Sequence, residues 1–350
     1  MPLAAALART PSTPPAPLGR PARAAPRRPR CAPPMATPPR PERLTGVTAE
    51  CLVARGFEGV LLDQFGVLHD GRTPYPGAVD AVRAMAEAGM RIVIVSNSSR
   101  RSAGALAKIA KMGFREDWFV GVVTSGELTY RHLRERPAEG PWRGLGDRAV
   151  WFTWGERGAI SLEGTGVTAV GLDVDAATFI LAHGTEAMGR WEEGGESELV
   201  DKDVGEMVEV LRRLGRERGG AMPMVVANPD FVTVDATQLR PMPGMLGREY
   251  AKAGGEVVLM GKPAPVIYEA AMEMLGGVDP SRVVAIGDSL EHDVAGAGAS
   301  GVASLFVSGG IHAEETATGR PGEARVDEDA VARLCGEMGV TPTFLVDYLA

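Results

Sequence analysis

The sequence predicts an α/β fold built on a parallel sheet, with a second α/β domain inserted into the first. Two observations carry this reading. From Val60 onward, short aliphatic runs of strand length alternate with Ala-, Glu- and Arg-rich stretches at helical spacing, the pattern of βαβ units. The alternation is interrupted over residues 126–242, a stretch with strand candidates of its own, and then resumes toward the C-terminus.

Taken in order, Val60-Leu61-Leu62-Asp63 reads as a strand covered on both faces, because its apolar run is continuous. Residues 78–89 form a helix ended by Gly89, 91–95 the next strand, and Ser99 to Met112 a helix closed by Gly113. In the middle region, strands are expected at 149–153, 178–182 and 223–227, with a charged amphipathic helix around 201–218. Strands at 256–260, 282–287 and 302–307, with helices at 264–275 and 291–299, return the chain to the first sheet. The expected organisation is a leader over 1–41, a core from 42–125 and 243–350, and an inserted domain over 126–242.

The leader stands apart in composition. Residues 1–41 hold 13 of the 26 prolines and seven arginines, with no Asp, Glu or Lys. Such an acid-free, Arg-containing segment without a long apolar run reads as a disordered transit peptide for a plastid or mitochondrion, the cytoplasm being the alternative. Taking its seven positive charges from the net of −8 leaves −15 for the remainder, which disfavours nucleic acid as a partner. The longest apolar runs fall well short of the ~20 residues of a membrane span. The three cysteines, at 31, 51 and 335, have no spacing suited to a zinc site or a disulfide frame.

In an open parallel sheet, ligands bind beyond the carboxyl ends of the strands. The residues that follow the apolar runs are Asp63, then Ser96-Asn97, then Gly261-Lys262-Pro263, then Gly287-Asp288 with Asp293 five residues on. Carboxylates gathered at one sheet edge repel unless a hard cation such as Mg²⁺ shares them. A lysine and a hydroxyl beside that cation suit a phosphoryl group, and Asp63 is placed as an in-line nucleophile.

These four segments, in this order, resemble the motifs of the haloacid dehalogenase (HAD) superfamily: Leu61-Leu62-Asp63-Gln64-Phe65-Gly66-Val67-Leu68, Val95-Ser96-Asn97, Gly261-Lys262-Pro263 and Gly287-Asp288-Ser289-Leu290-Glu291-His292-Asp293. An insert between the second and third motifs is similar to the C2-capped class IIA branch, which includes p-nitrophenyl phosphatases, and Ala227-Asn228-Pro229-Asp230 is a further mark of it. The resemblance implies a Rossmann-like HAD core with a C2-type cap and hydrolysis of a small phosphorylated metabolite through an aspartyl-phosphate on Asp63. It assigns Mg²⁺ to Asp63, the Phe65 carbonyl and Asp288, phosphoryl binding to Ser96, Asn97 and Lys262, and an outer orienting place to Asp293. A homodimer joined through the cap is a further expectation.

The first motif departs from that pattern. Phosphatases of the superfamily carry a second aspartate two residues after the nucleophile, and here Phe65 occupies the position. A phenyl ring transfers no proton, and such transfer is typically worth ~10²–10⁴ in rate. Three readings stay open: a weakened or specialised phosphatase that acts on substrates with good leaving groups or draws its acid from His69 or Asp70, another HAD reaction, or a silent phosphate-binding protein. His292 and His312 are weaker candidates, Asn228 and Asp230 read as a turn at the cap's end, and His183 reads as structural. Gly296-Ala297-Gly298-Ala299-Ser300-Gly301 matches a dinucleotide fingerprint in letters, but it ends a helix instead of opening one, so close packing explains it.

Overall fold

A computed structural model describes residues 40–44, 46, 49–235, 238–321 and 325–349, all within a compact unit spanning Pro38–Ala350. The expected leader therefore lies outside the described residues, except for Arg40 and Pro41. Among the described residues, no helix is long and apolar enough to cross a membrane.

The chain opens with β1 (Glu42–Arg43), α1 (Ala49–Ala54), β2 (Gly59–Leu62), α2 (Ala78–Glu87), β3 (Arg91–Ser96), α3 (Ser102–Ala110), β4 (Gly121–Thr124) and α4 (Ser125–Glu135). It returns at the end with β14 (Val283–Gly287), α8 (Ala295–Ala299), β15 (Ala303–Val307), α9 (Glu328–Met338) and β16 (Phe344–Val346). Their strands make one parallel sheet in the order β1-β16-β15-β14-β2-β3-β4. The apolar runs of β2 and of β3, Ile92 to Val95, are continuous because alternate residues enter different cores. Val60, Leu62, Ile92 and Ile94 pack with α2, while Leu61, Val93 and Val95 pack with α7 (Pro265–Met274).

Between these stretches lie β5 (Arg148–Thr153), β6 (Thr168–Val170), β7 (Phe179–Ala182), β8 (Ala187–Trp191), β9 (Glu198–Asp201), α5 (Val204–Arg218) and β10 (Met224–Val226). A hairpin of β11 (Val232–Asp235) and β12 (Gln238–Pro241), then α6 (Pro243–Lys252) and β13 (Val257–Leu259), complete the insert. The second sheet runs β13-β10-β7-β5-β6-β8-β9, parallel except where β8 and β9 join. Helix α5 forms as its residues suggest, with Asp203 and Glu206 closing a reciprocal cap and Met207, Leu211 and Leu214 buried against the sheet.

The strand expected at 256–260 as part of the first sheet belongs to the second. As β13 it pairs with β10, and α6 before it packs on α5 and β10. An apolar run of parallel-strand type reads the same in either sheet, which is why the sequence placed it in the wrong one. The expected helix over 291–299 also differs, being a single π turn over Leu290–Val294 that leads into α8. One apolar cluster spans both sheets through Leu128 and Leu133 of α4 and Ile267 of α7, so the two layers share a core.

Candidate active site

The site lies at the carboxyl ends of three neighbouring strands of the first sheet. Asp63 follows β2, its amide still bonded to Ile286 O of β14 at 2.9 Å; Asp288 follows β14; and Ser96 ends β3. Lys262 comes from elsewhere. It lies on the segment leading from β13 of the second sheet into α7, with a cis Lys262–Pro263 peptide.

Lys262 is 3% exposed, and its Nζ donates to Asp63 Oδ1 and Asp293 Oδ1, each at 2.7 Å. Asp293, on the π turn, also accepts from Ser289 N through its other oxygen at 3.1 Å. Asp288 Oδ2 accepts from Ile311 N at 2.7 Å. Burial works against the ammonium of Lys262, but Asp293 and Asp63 outweigh it and hold the proton firmly. Burial also lifts Asp63 to about 7, against the pull of Lys262, and together with repulsion from Asp63 and Asp293 it raises Asp288 well above the usual carboxylate range.

Asp63, Asp288 and Asp293 bring carboxylate oxygens within 4.8 Å of one another, with one lysine among them. This buried set carries more negative than positive charge, and a divalent cation fits it on donor chemistry. The backbone is cut to the same purpose. Gly66 has φ +83°, and a Cβ on it or on Gly310 would overlap Asp288 Oδ2, so only glycine lets both loops approach that carboxylate.

Asn97, expected among the phosphoryl-binding groups, is otherwise occupied. Its Oδ1 accepts from Lys262 N at 2.7 Å, and its Nδ2 donates to Lys262 O at 3.1 Å and to Asp230 Oδ1 at 2.8 Å. It clamps the Lys262 backbone and ties it to the Asn-Pro-Asp turn. Asn97→Ala would leave a buried amide and carbonyl unpaired; we expect a loss of about 2–4 kcal/mol, read from urea denaturation. Unchanged stability would show that the clamp is dispensable.

The contacts around Asn97 show how the sheets meet. Ser125 Oγ donates to Ala227 O at 2.6 Å and Trp154 Nε1 to Ser99 Oγ at 3.0 Å, so strands β5, β10 and β13 of the second sheet turn their carboxyl ends toward the same loops of the first. Ser125, Trp154 and Ile311 escaped sequence reasoning. Ile311 alone had a signal, since it follows β15 by way of Gly309-Gly310, the next strand end along the sheet.

The remaining candidates divide. Ser96 is half-buried at the strand end, its Oγ accepting from Ser98 N at 3.3 Å. Phe65 is 38% exposed, with its ring at the edge of His69. His69 is buried and lies low, at about 4, mainly through desolvation; its Nδ1 accepts from Gly71 N at 3.0 Å and its Nε2 meets no partner among the described residues. Asp70 is locked in a turn by Arg72 N and Thr73 N, both at 2.8 Å, and by Thr73 Oγ1, which hold it below the usual carboxylate range. His292 packs between Ser289 and Asp230, and His312 pairs with Glu315. His183 accepts from Trp151 Nε1 at 3.1 Å in the second core, and burial takes it to about 3. At the glycine-rich helix end, a Cβ on Gly296 would overlap Tyr268, which is the close packing expected there.

Two family profiles match the chain: haloacid dehalogenase-like hydrolase over residues 60–168 and HAD-hydrolase-like over 259–333, together just over half of its length. The chain belongs to the HAD superfamily, class IIA. Human chronophin is 28% identical over 314 residues, covering 88% of this chain and 96% of its own length. Chicken glycerol-3-phosphate phosphatase is 27% identical over 315 residues, 88% and 94% of the two chains. A haloacid dehalogenase-like hydrolase from Brucella suis 1330 superposes with a TM-score of 0.63 at 28% identity, covering 89% of this chain and all of its own. The HAD core and inserted α/β cap of this hydrolase are the two layers described above.

Proposed function

We propose that this HAD hydrolase is a Mg²⁺-dependent phosphatase of small phosphorylated metabolites, working through an aspartyl-phosphate on Asp63. The observation that carries the reading is Lys262 Nζ at 2.7 Å from both Asp63 and Asp293, beside Asp288, in a buried cluster. The ammonium aims the carboxylate and favours its charged form, and it also offsets charge on a transferring phosphoryl group. Ser96 and the loop amides after β3 donate to phosphoryl oxygens, while Asn97 fixes the lysine that does the same. Mg²⁺ would be held by Asp63, Asp288 and the Phe65 carbonyl, and when bound it supplies charge neutralisation at phosphorus. The likeness to a glycerol-3-phosphate phosphatase and to chronophin supports phosphate esters of small molecules as the substrate class.

The test is p-nitrophenyl phosphate and glycerol phosphate hydrolysis with and without Mg²⁺. Asp63→Asn is expected to lower the rate by a factor on the order of 10⁴ or more, as loss of a nucleophile does. Phosphate release that ignores both Asp63→Asn and chelation would sink the proposal. Phe65 favours a second reading, a protein that binds phosphate esters without turning them over. Saturable binding of glycerol phosphate with no release of phosphate would select it.

A further inference from the structure

We infer that the phosphoryl group accumulates on Asp63 during turnover of esters whose leaving group departs as the anion, because attack of water on the aspartyl-phosphate is then the slow step. This rests on the reading of Asp63 as the nucleophile.

The two half-reactions make different demands. In the first, an Asp63 oxygen bonds to phosphorus and the ester P–O bond breaks, its electron pair leaving with the oxygen. A nitrophenolate leaves as the anion, so that step needs no proton. In the second, water oxygen bonds to phosphorus, the bond from phosphorus to Asp63 breaks, and its electron pair returns to the carboxylate. The products are the free carboxylate and dihydrogen phosphate. As the new P–O bond forms, one water proton must pass to a base that then returns it to the departing phosphate, and a positioned base typically accelerates this by ~10²–10⁴.

The two candidate bases on the loop after Asp63, His69 and Asp70, are held by their own turn. The side chain two residues on is the phenyl ring of Phe65. His69 spends Nδ1 on Gly71 N, so its ring proton sits on Nε2, where no lone pair remains to accept another. In this tautomer His69 offers no base at Nε2. Asp70, the other, has both oxygens in its own turn. Asp293 gives one oxygen to Lys262 and the other to Ser289 N, and Asp288 is one of the carboxylates that would hold Mg²⁺. Lys262 already carries its proton between two carboxylates.

Rapid mixing of the full chain with p-nitrophenyl phosphate and Mg²⁺ tests the inference. The expected result is a burst of about one nitrophenolate per enzyme, followed by a steady rate at least ~10²-fold slower. Acid-quenched protein should then carry one added phosphoryl group by intact mass, sensitive to hydroxylamine and absent in Asp63→Asn. Phe65→Asp, at a position exposed enough to accept a carboxylate, should remove the burst and raise the steady rate by ~10²–10⁴. Linear release that Asp63→Asn abolishes, with no phosphorylated protein, would overturn the inference and leave the phosphatase reading standing. No Asp63-dependent release at all would overturn both.

Discussion

Lys262→Met is expected to end turnover and to cost about 3–5 kcal/mol of stability at pH 8, the penalty for stripping the partner from buried charge. Lys262 is 3% exposed and bonds Asp63 and Asp293 at 2.7 Å each. A methionine fills a similar volume but leaves three close carboxylates facing one another. Protonating them relieves the repulsion, so the loss should shrink as the pH falls. Urea denaturation at pH 8 and pH 5.5 reads both effects. A variant as stable as wild type at pH 8 would show that the ion pairs contribute nothing to holding the cluster.

The second large effect concerns the carboxylates without metal. Asp63 is lifted to about 7 and Asp288 well above its ordinary range, burial being the main cause in each. A raised acid binds its proton more tightly in the folded chain than in the unfolded one. Stability of the metal-free protein should therefore fall as pH rises from about 4 through 7, with the penalty complete above the folded values. Asp288→Asn removes one repelling charge, and its amide oxygen can still accept from Ile311 N. We expect the metal-free variant to be more stable than the wild type at pH 8, since a buried repelling charge is gone. It should also lose the rise in Tm that Mg²⁺ gives the wild type. Thermal melts in chelator and in Mg²⁺ decide the matter; an Asp288→Asn protein that still responds fully to Mg²⁺ would place the cation elsewhere.

The parts of this architecture that could be read from sequence are those where one residue type has one physical use. Asp63, Ser96 and Asp288 each end a continuous apolar run, and parallel sheets put such residues on one edge. Lys262 was found by the same rule for a partly mistaken reason, since its strand, β13, lies in the second sheet and only the segment beyond it reaches the first. Strand composition reports burial on two faces, not the identity of the neighbour. The resemblance placed Asn97 among the ligands, yet its side chain bonds the main chain of Lys262, 165 residues away, and the carboxylate of Asp230, pairings that no local pattern encodes. His69 looked like a spare acid because of its place in the loop, and its tautomer follows from a single amide contact that the sequence does not display.

The route by which Lys262 arrives bears on how such proteins diversify. The lysine sits just past the last strand of the insert, gripped by Asn97 from the core and, through that amide, by Asp230 from the insert. A foreign insert grafted onto this core would have to deliver its final strand to the same spot and offer Asn97 an equivalent acceptor. At that seam, and in the apolar core that the two layers share, the two lobes must evolve together.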